Sequence, residues 1–252
     1  MLERQLPDQD MLGVIGLSPM GLQAATALLA ARPADAPFGY MLTANAQVLV
    51  LLAQPDHPLR AAYDAAWIRL TDGQIPRFLA RIATGRRFPL AAGSDMTVLL
   101  LRQYITPEDD IAIIGGAPDL PDELRKRYNL GRIHLHDPPM GYMEKPEAVA
   151  AALGFVRAHP ARFVFVATGV PRSEAFLLRL LQEGGVTGTG LAVGSSLRFA
   201  VGEVSRAPGW MRASGLEWLF RLLSEPRRLW RRYAVESSPI FLLAWRAWRS
   251  GR

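Results

Sequence analysis

From Asp110 to Gly194 the chain repeats one pattern: a short, continuously apolar run followed by a longer segment of helical composition. The apolar runs fall at 110–114, 162–166 and 190–194, with a further strand expected at Arg132-Ile133-His134-Leu135 and helical segments at 120–127, at 146–158 and up to Glu183. Strands apolar along their whole length are buried on both faces, as in a parallel sheet covered by helices. Upstream, a helix is expected over 19–31, a strand at 40–42 leading into a helix through Leu52, and a strand at 68–70. Helices over 75–82 and 95–104 follow, while 11–17 is a short apolar piece. The expected fold is therefore α/β, a Rossmann-like, mostly parallel sheet with helices on both faces, over residues 1–205.

After Ala207-Pro208 the composition changes. An amphipathic helix is expected over 210–223, a second from Pro226, and a third over 240–249. Residues 206–252 hold ten Arg and three acids, so this tail carries +7 of a chain whose net charge is +6. Arg227, Arg228, Trp230, Arg231 and Arg232, with Trp245 and Trp248, combine indoles and guanidinium groups in short helices. That mixture suits the headgroup layer of an anionic membrane surface. A packed arm between subunits of a homo-oligomer is the structural alternative. Nucleic acid is the weaker one, since no known binding motif accompanies the charge. The tail reads as a helical appendage whose removal after Ser224 would leave a soluble domain.

With 252 residues, 50% of them hydrophobic, the chain can bury a full core. It has no cysteine, which rules out disulfides and thiolate metal sites and fits a reducing compartment. The opening residues 1–8 have mixed charge and do not read as a secretory signal. No apolar run approaches the ~20 residues of a spanning helix.

In an open parallel sheet, ligands bind beyond the carboxyl ends of the strands. Thr71-Asp72-Gly73 stands at such an end, and its carboxylate is placed either to take a proton from a hydroxyl nucleophile or to cap the next helix. Gly115-Gly116, Gly169-Val170-Pro171 and Gly194 mark three more strand ends, where backbone N–H groups can meet a phosphate or merely turn the chain. His136 at a fourth could touch a ligand or lie in a solvated loop. The four histidines have no clustered carboxylates beside them, so no metal site is expected. No Walker loop, nucleophile elbow or dinucleotide fingerprint is present, which argues against a Rossmann oxidoreductase.

Taken in order, these strand ends resemble the bacterial WecG/TagA/CpsF glycosyltransferases. The resemblance runs through Thr43-Ala44-Asn45, Thr71-Asp72-Gly73, Gly93-Ser94-Asp95, 114–118, 138–142, 169–174 and 192–194. It is most specific in 206–210, 215–222 and 225–228. It implies an inverting transfer of a sugar from a nucleotide-diphosphate donor, expected to be UDP-linked, to a polyprenyl-diphosphate-linked saccharide in cell-surface polysaccharide synthesis. No metal or other cofactor is implied, and the enzyme is expected as a peripheral protein on the cytoplasmic face of the inner membrane. Asp72 is then the general base. Thr43, Asn45, Gly93, Asp95, His136, Tyr142, Arg198 and Arg206 are expected at the sugar or acceptor. Gly115, Gly116, Gly169, Pro171, Arg172, Glu174 and Gly194 are expected at the nucleotide.

Three positions depart from the family pattern. Ser173 stands where Gln precedes the Glu, Leu197-Arg198 where Phe-Asp is usual, and Pro89-Leu90 where Glu-Arg is usual. An Arg198 close to Asp72 would hold the carboxylate ionised and weaken it as a base; alternatively it would bind the diphosphate, or a donor bearing a carboxylate. These losses also admit a catalytically silent relative serving as a nucleotide- or lipid-binding assembly partner.

Overall fold

The structure is a computed structural model that describes residues 7–204 and 207–251, with the backbone alone for Arg212, Ala213 and Arg228. The chain opens with an antiparallel hairpin, β1 (Gln9–Met11) and β2 (Ile15–Leu17), then α1 (Leu22–Ala30). β3 (Gly39–Ala44), α2 (Ala46–Leu52), α3 (Leu59–Ala65), β4 (Ile68–Thr71), α4 (Gln74–Thr84) and α5 (Gly93–Gln103) follow. Next come β5 (Asp110–Ile114), α6 (Leu120–Tyr128), β6 (Arg132–His136), α7 (Pro146–Ala158), β7 (Phe163–Val166), α8 (Arg172–Glu183) and β8 (Thr189–Ala192). The chain ends in α9 (Ser196–Val201), α10 (Gly209–Ala213), α11 (Glu217–Ser224), α12 (Pro226–Arg231), a π-helical turn (Arg232–Glu236) and α13 (Ile240–Ser250).

Six strands form one sheet in the order β4-β3-β8-β7-β5-β6, with every neighbouring pair parallel. Alternation along each strand sorts its side chains to two cores. Tyr40, Leu42 and Ala44 of β3 join Val164 and Val166 of β7 against α2, α3, α7 and α8. Met41, Ile68, Leu70, Phe163, Phe165 and Leu191 join the opposite core with α1, α5, α6 and α9. Uniformly apolar strands can be satisfied in no other way, so the α/β expectation from their pattern holds.

Two helices carry no expectation from the sequence, α3 and α9. Each is short, and α9 starts at the second residue of Ser195-Ser196, beside a glycine-marked strand end. The single helix expected over 210–223 is two, because Gly215 takes a positive φ of 78° between α10 and α11. The tail shares the main core: α13 packs on α4 and α2, and its Ile240 and Ala244 are buried among residues of the sheet-covering helices.

β3 and β8 lie side by side, yet β3 leads to α2 on one face and β8 to α9 on the other. Chains leaving adjacent parallel strands in opposite directions open a crevice between them. The tail spans that crevice. On one side Arg221 of α11 donates to Ser195 Oγ at 3.1 Å and lies over the Phe199 ring of α9. On the other, Gln47 of α2 donates to Glu236 of the π-helical turn at 2.8 Å.

Candidate active site

A cavity of about 640 Å³ lies at the carboxyl ends of β3, β4, β7 and β8, beneath the tail. Asp72 sits in it, half-buried. The β3–β4 ladder continues one step past the strand, with Asp72 N–H donating to Ala44 C=O at 3.0 Å. Gly73, at φ 92°, then turns the chain into α4. Gly73 is also the N-cap residue, and no side chain caps that helix. The capping alternative for Asp72 is therefore overturned. Strand alternation instead carries its carboxylate toward α5, whose first residue, Gly93, favours the ionised form through its backbone N–H.

Burial foremost, and then the neighbouring Glu217 carboxylate, raise the pKa of Asp72 to about 6, against the opposing pull of Arg221, Arg232 and the Gly93 N–H. Arg198 has no part in this balance. Its guanidinium is paired with Glu203, Nε at 3.0 Å and a terminal nitrogen at 2.9 Å, although it still lines the cavity. The expectation that Arg198 acts on Asp72 is corrected: the charges that do so come from the tail.

Thr43 and Asn45 line the same cavity one strand over. Asn45 is the N-cap of α2, its Oδ1 accepting Val48 N–H at 3.1 Å, which leaves its amide NH₂ as the donor on hand for a ligand. A Cβ on Gly93 would lie 3.4 Å from Thr43 Oγ1, so a glycine here lets the α5 N-terminus sit against β3. Asp95, in the first turn of α5, lines the cavity too.

On the nucleotide side of the expectation the residues divide. Gly169, Arg172, Glu174 and Gly194 line the cavity; Gly115, Gly116 and Pro171 do not. Gly115 takes φ 86°, and a Cβ there would come within 2.9 Å of Thr168 Cγ2; one on Gly116 would come within 2.7 Å of Leu120. Close packing explains both glycines where they stand. Glu174 is only 3% exposed, its Oε2 finds no hydrogen-bond partner among the described residues, and burial raises its pKa to about 7. Ser173, one of the departures, is buried and bonds Val166 C=O at 3.2 Å.

Tyr142 is core rather than cavity: it packs edge-on against Phe176, and its hydroxyl lies 3.3 Å from Thr168 Oγ1. His136 stacks on Phe155 on the outer strand β6, away from the cavity. Arg206 lies outside the described residues.

The tail contributes what the strand-end reading missed. Glu217, Trp218, Arg221, Arg232 and Tyr233 all line the cavity, with Trp218 and Tyr233 in an edge contact at 5.9 Å. Arg221 Nε is buried and has no hydrogen-bond partner among the described residues, which leaves a cationic donor at the cavity wall. Four of these five lie in stretches whose specificity the sequence displays or in its basic helix, yet sequence alone assigns Arg232 to the membrane. Of the other residues expected at the membrane, Arg227, Trp230, Arg231, Trp245 and Trp248 are exposed. The side chain of Arg228 is not among those described.

Among the described residues, no group of three or more His, Cys, Asp or Glu is placed to hold a metal ion. No helix among them is long and apolar enough to cross a membrane. The parallel sheet and the cavity at its carboxyl edge define an α/β protein of the ligand-binding, Rossmann-like class. The glycosyl transferase WecG/TagA/CpsF family matches residues 10–252, and the chain belongs to that family. A transferase acting on sugars is the role this membership supports.

Proposed function

We propose that this protein is an inverting hexosyltransferase using a nucleoside-diphosphate sugar, expected to be UDP-linked, and a polyprenyl-diphosphate-linked saccharide acceptor in cell-surface polysaccharide assembly. The observation that carries this reading is the half-buried Asp72, raised to about pKa 6, in a cavity whose wall holds Arg221 and Arg232. A carboxyl of that pKa is ionised near neutral pH yet more basic than an ordinary aspartate.

The acceptor hydroxyl oxygen forms the new bond to the anomeric carbon while Asp72 takes its proton. The bond from that carbon to the diphosphate oxygen breaks, and the electron pair leaves with the diphosphate. Arg221 and Arg232 are the cations positioned to receive the charge that develops there. Thr43 and the Asn45 amide position the reacting sugars, and Gly169, Arg172, Glu174 and Gly194 hold the nucleotide. Attack on the face opposite the departing diphosphate inverts the anomeric centre. In this reading side chains, rather than a metal ion, serve the leaving group. The basic tail holds the enzyme on the cytoplasmic face of the inner membrane, where a lipid-linked acceptor lies.

The test is turnover: purified protein is supplied with UDP-sugars and a short-chain polyprenyl-diphosphate saccharide, and products are read by mass spectrometry. Asp72→Asn should retain donor binding and lose transfer by roughly 10²–10⁴-fold. Donor binding with no transfer by the wild type would favour the silent assembly partner.

A further inference from the structure

We propose that α4, the helix beginning just beyond Asp72, forms with α13 the surface that docks this protein on an anionic bilayer. The proposal rests on the peripheral-membrane reading above. It moves part of the docking from the basic tail to the catalytic half of the chain.

The two helices run side by side in the same direction. Gln74 and Ile75 at the start of α4 and Ile240 and Phe241 at the start of α13 line the catalytic cavity. At their far ends, Ala83 and Thr84 share a second groove with Ala247 and Ser250. Each helix turns one side inward, Ala80 from α4 and Ala244 from α13 being buried in the common core.

Their outer stripes are apolar. Phe78 and Ile82 are 63% and 61% exposed, and Phe241 and Trp245 are 58% and 48% exposed. Each pair is spaced i, i+4 and so forms a single ridge along its helix. The charge is one-sided: α4 holds Arg77 and Arg81, α13 holds Arg246 and Arg249, and neither has an acid. The Arg249 guanidinium lies 4.9 Å from the Trp245 ring centroid, an indole and a cation presented together.

Large exposed apolar side chains on two helices packed against each other mark an interaction site. Apolar ridges on helices whose only charged residues are arginines match a layer with acyl chains beneath and phosphates above. Asp10 and Asp56 line the groove at the far ends, with Asp10 paired to Arg86 at 3.2 Å. A protein partner would account for the ridges but not for the lack of any acid on the two helices. Because both helices start at the cavity, docking along them brings the cavity rim to the bilayer. That is where a lipid-linked hydroxyl must enter.

The chain has no cysteine, so a single introduced one gives a unique label. Phe78→Cys, Ile82→Cys and Trp245→Cys would each carry an environment-sensitive fluorophore. Lys126→Cys on α6, whose side chain is 74% exposed on the opposite face of the sheet, is the control. With phosphatidylglycerol vesicles, labels at 78, 82 and 245 should brighten about two- to fivefold and shift to the blue, with little response to phosphatidylcholine. The label at 126 should not respond. Separately, Phe78→Ser with Ile82→Ser should weaken vesicle binding roughly tenfold with an unchanged melting temperature. A silent label at 78 and 82 beside a bright one at 245 would overturn the proposal and leave docking to the tail alone. Silence at all three, with no vesicle binding by the unlabelled protein, would remove the peripheral-membrane reading itself.

Discussion

The backbone N–H of Gly93, at the start of α5, favours the ionised form of the Asp72 carboxylate at the end of β4. The positive end of a helix by itself would lower the pKa of such a carboxyl. Burial and the Glu217 carboxylate outweigh it. The outcome is a candidate base that keeps its basicity.

The pH dependence of transfer follows from that balance. Asp72 must be ionised to accept a proton, so the rate should fall below its pKa of about 6 and level off above it. Glu217→Gln removes a neighbouring negative charge, so Asp72 should ionise more readily and the acid limb should move to lower pH. Initial rates from about pH 4.5 to pH 8 test this, and an unmoved limb would remove Glu217 from the base's surroundings.

Arg221→Ala should have a double effect. Loss of a cation from the cavity wall should lower transfer about 10²-fold, and Asp72 should titrate higher. Arg221→Lys should restore little, because the planar fork that reaches Ser195 and covers Phe199 is lost. Rates across pH for the three proteins separate the two effects.

Glu174 should reveal itself in stability. Its native pKa, about 7, lies above the ordinary value of 4.5, so between the two the folded state holds a proton that the unfolded state releases. Stability conferred by that proton is complete at low pH and lost as pH rises through about 7. Glu174→Gln should therefore be more stable than wild type at about pH 8, by up to ~3 kcal/mol, with the difference gone near pH 4. Denaturant titrations at the two pH values measure it.

Truncation after Ser224 should not yield a clean catalytic domain. It removes Ile240 and Ala244 from the core, together with Arg232 from the cavity. Each lost apolar side chain of that kind is worth about 1–3 kcal/mol. A melting temperature equal to that of the full chain would show that α13 is dispensable for folding.

Most of the fold was legible in the chain because its central strands are largely apolar. Asp110–Ile114 and Pro146–Ala158 fall where composition puts them, since a buried parallel strand and a proline-started helix are specified locally. The candidate base was legible too: an Asp before a Gly at a strand end is a local signal. α9 was not, because a helix of six residues that begins with a serine has too short a periodicity to read.

What only the tertiary structure decided is the company Asp72 keeps. Glu217, Arg221 and Arg232 are more than 140 positions away along the chain, and nothing in their own neighbourhood says that they roof a cavity. Arg198 is only a few positions from a strand end but turns to Glu203. Hydrophobic period and turn chemistry act over a few residues, so sequence alone points to most of the elements and to Asp72 as the candidate base. Electrostatic environment acts through space, so the acid's strength and the cations facing it follow from how the tail folds back over the sheet.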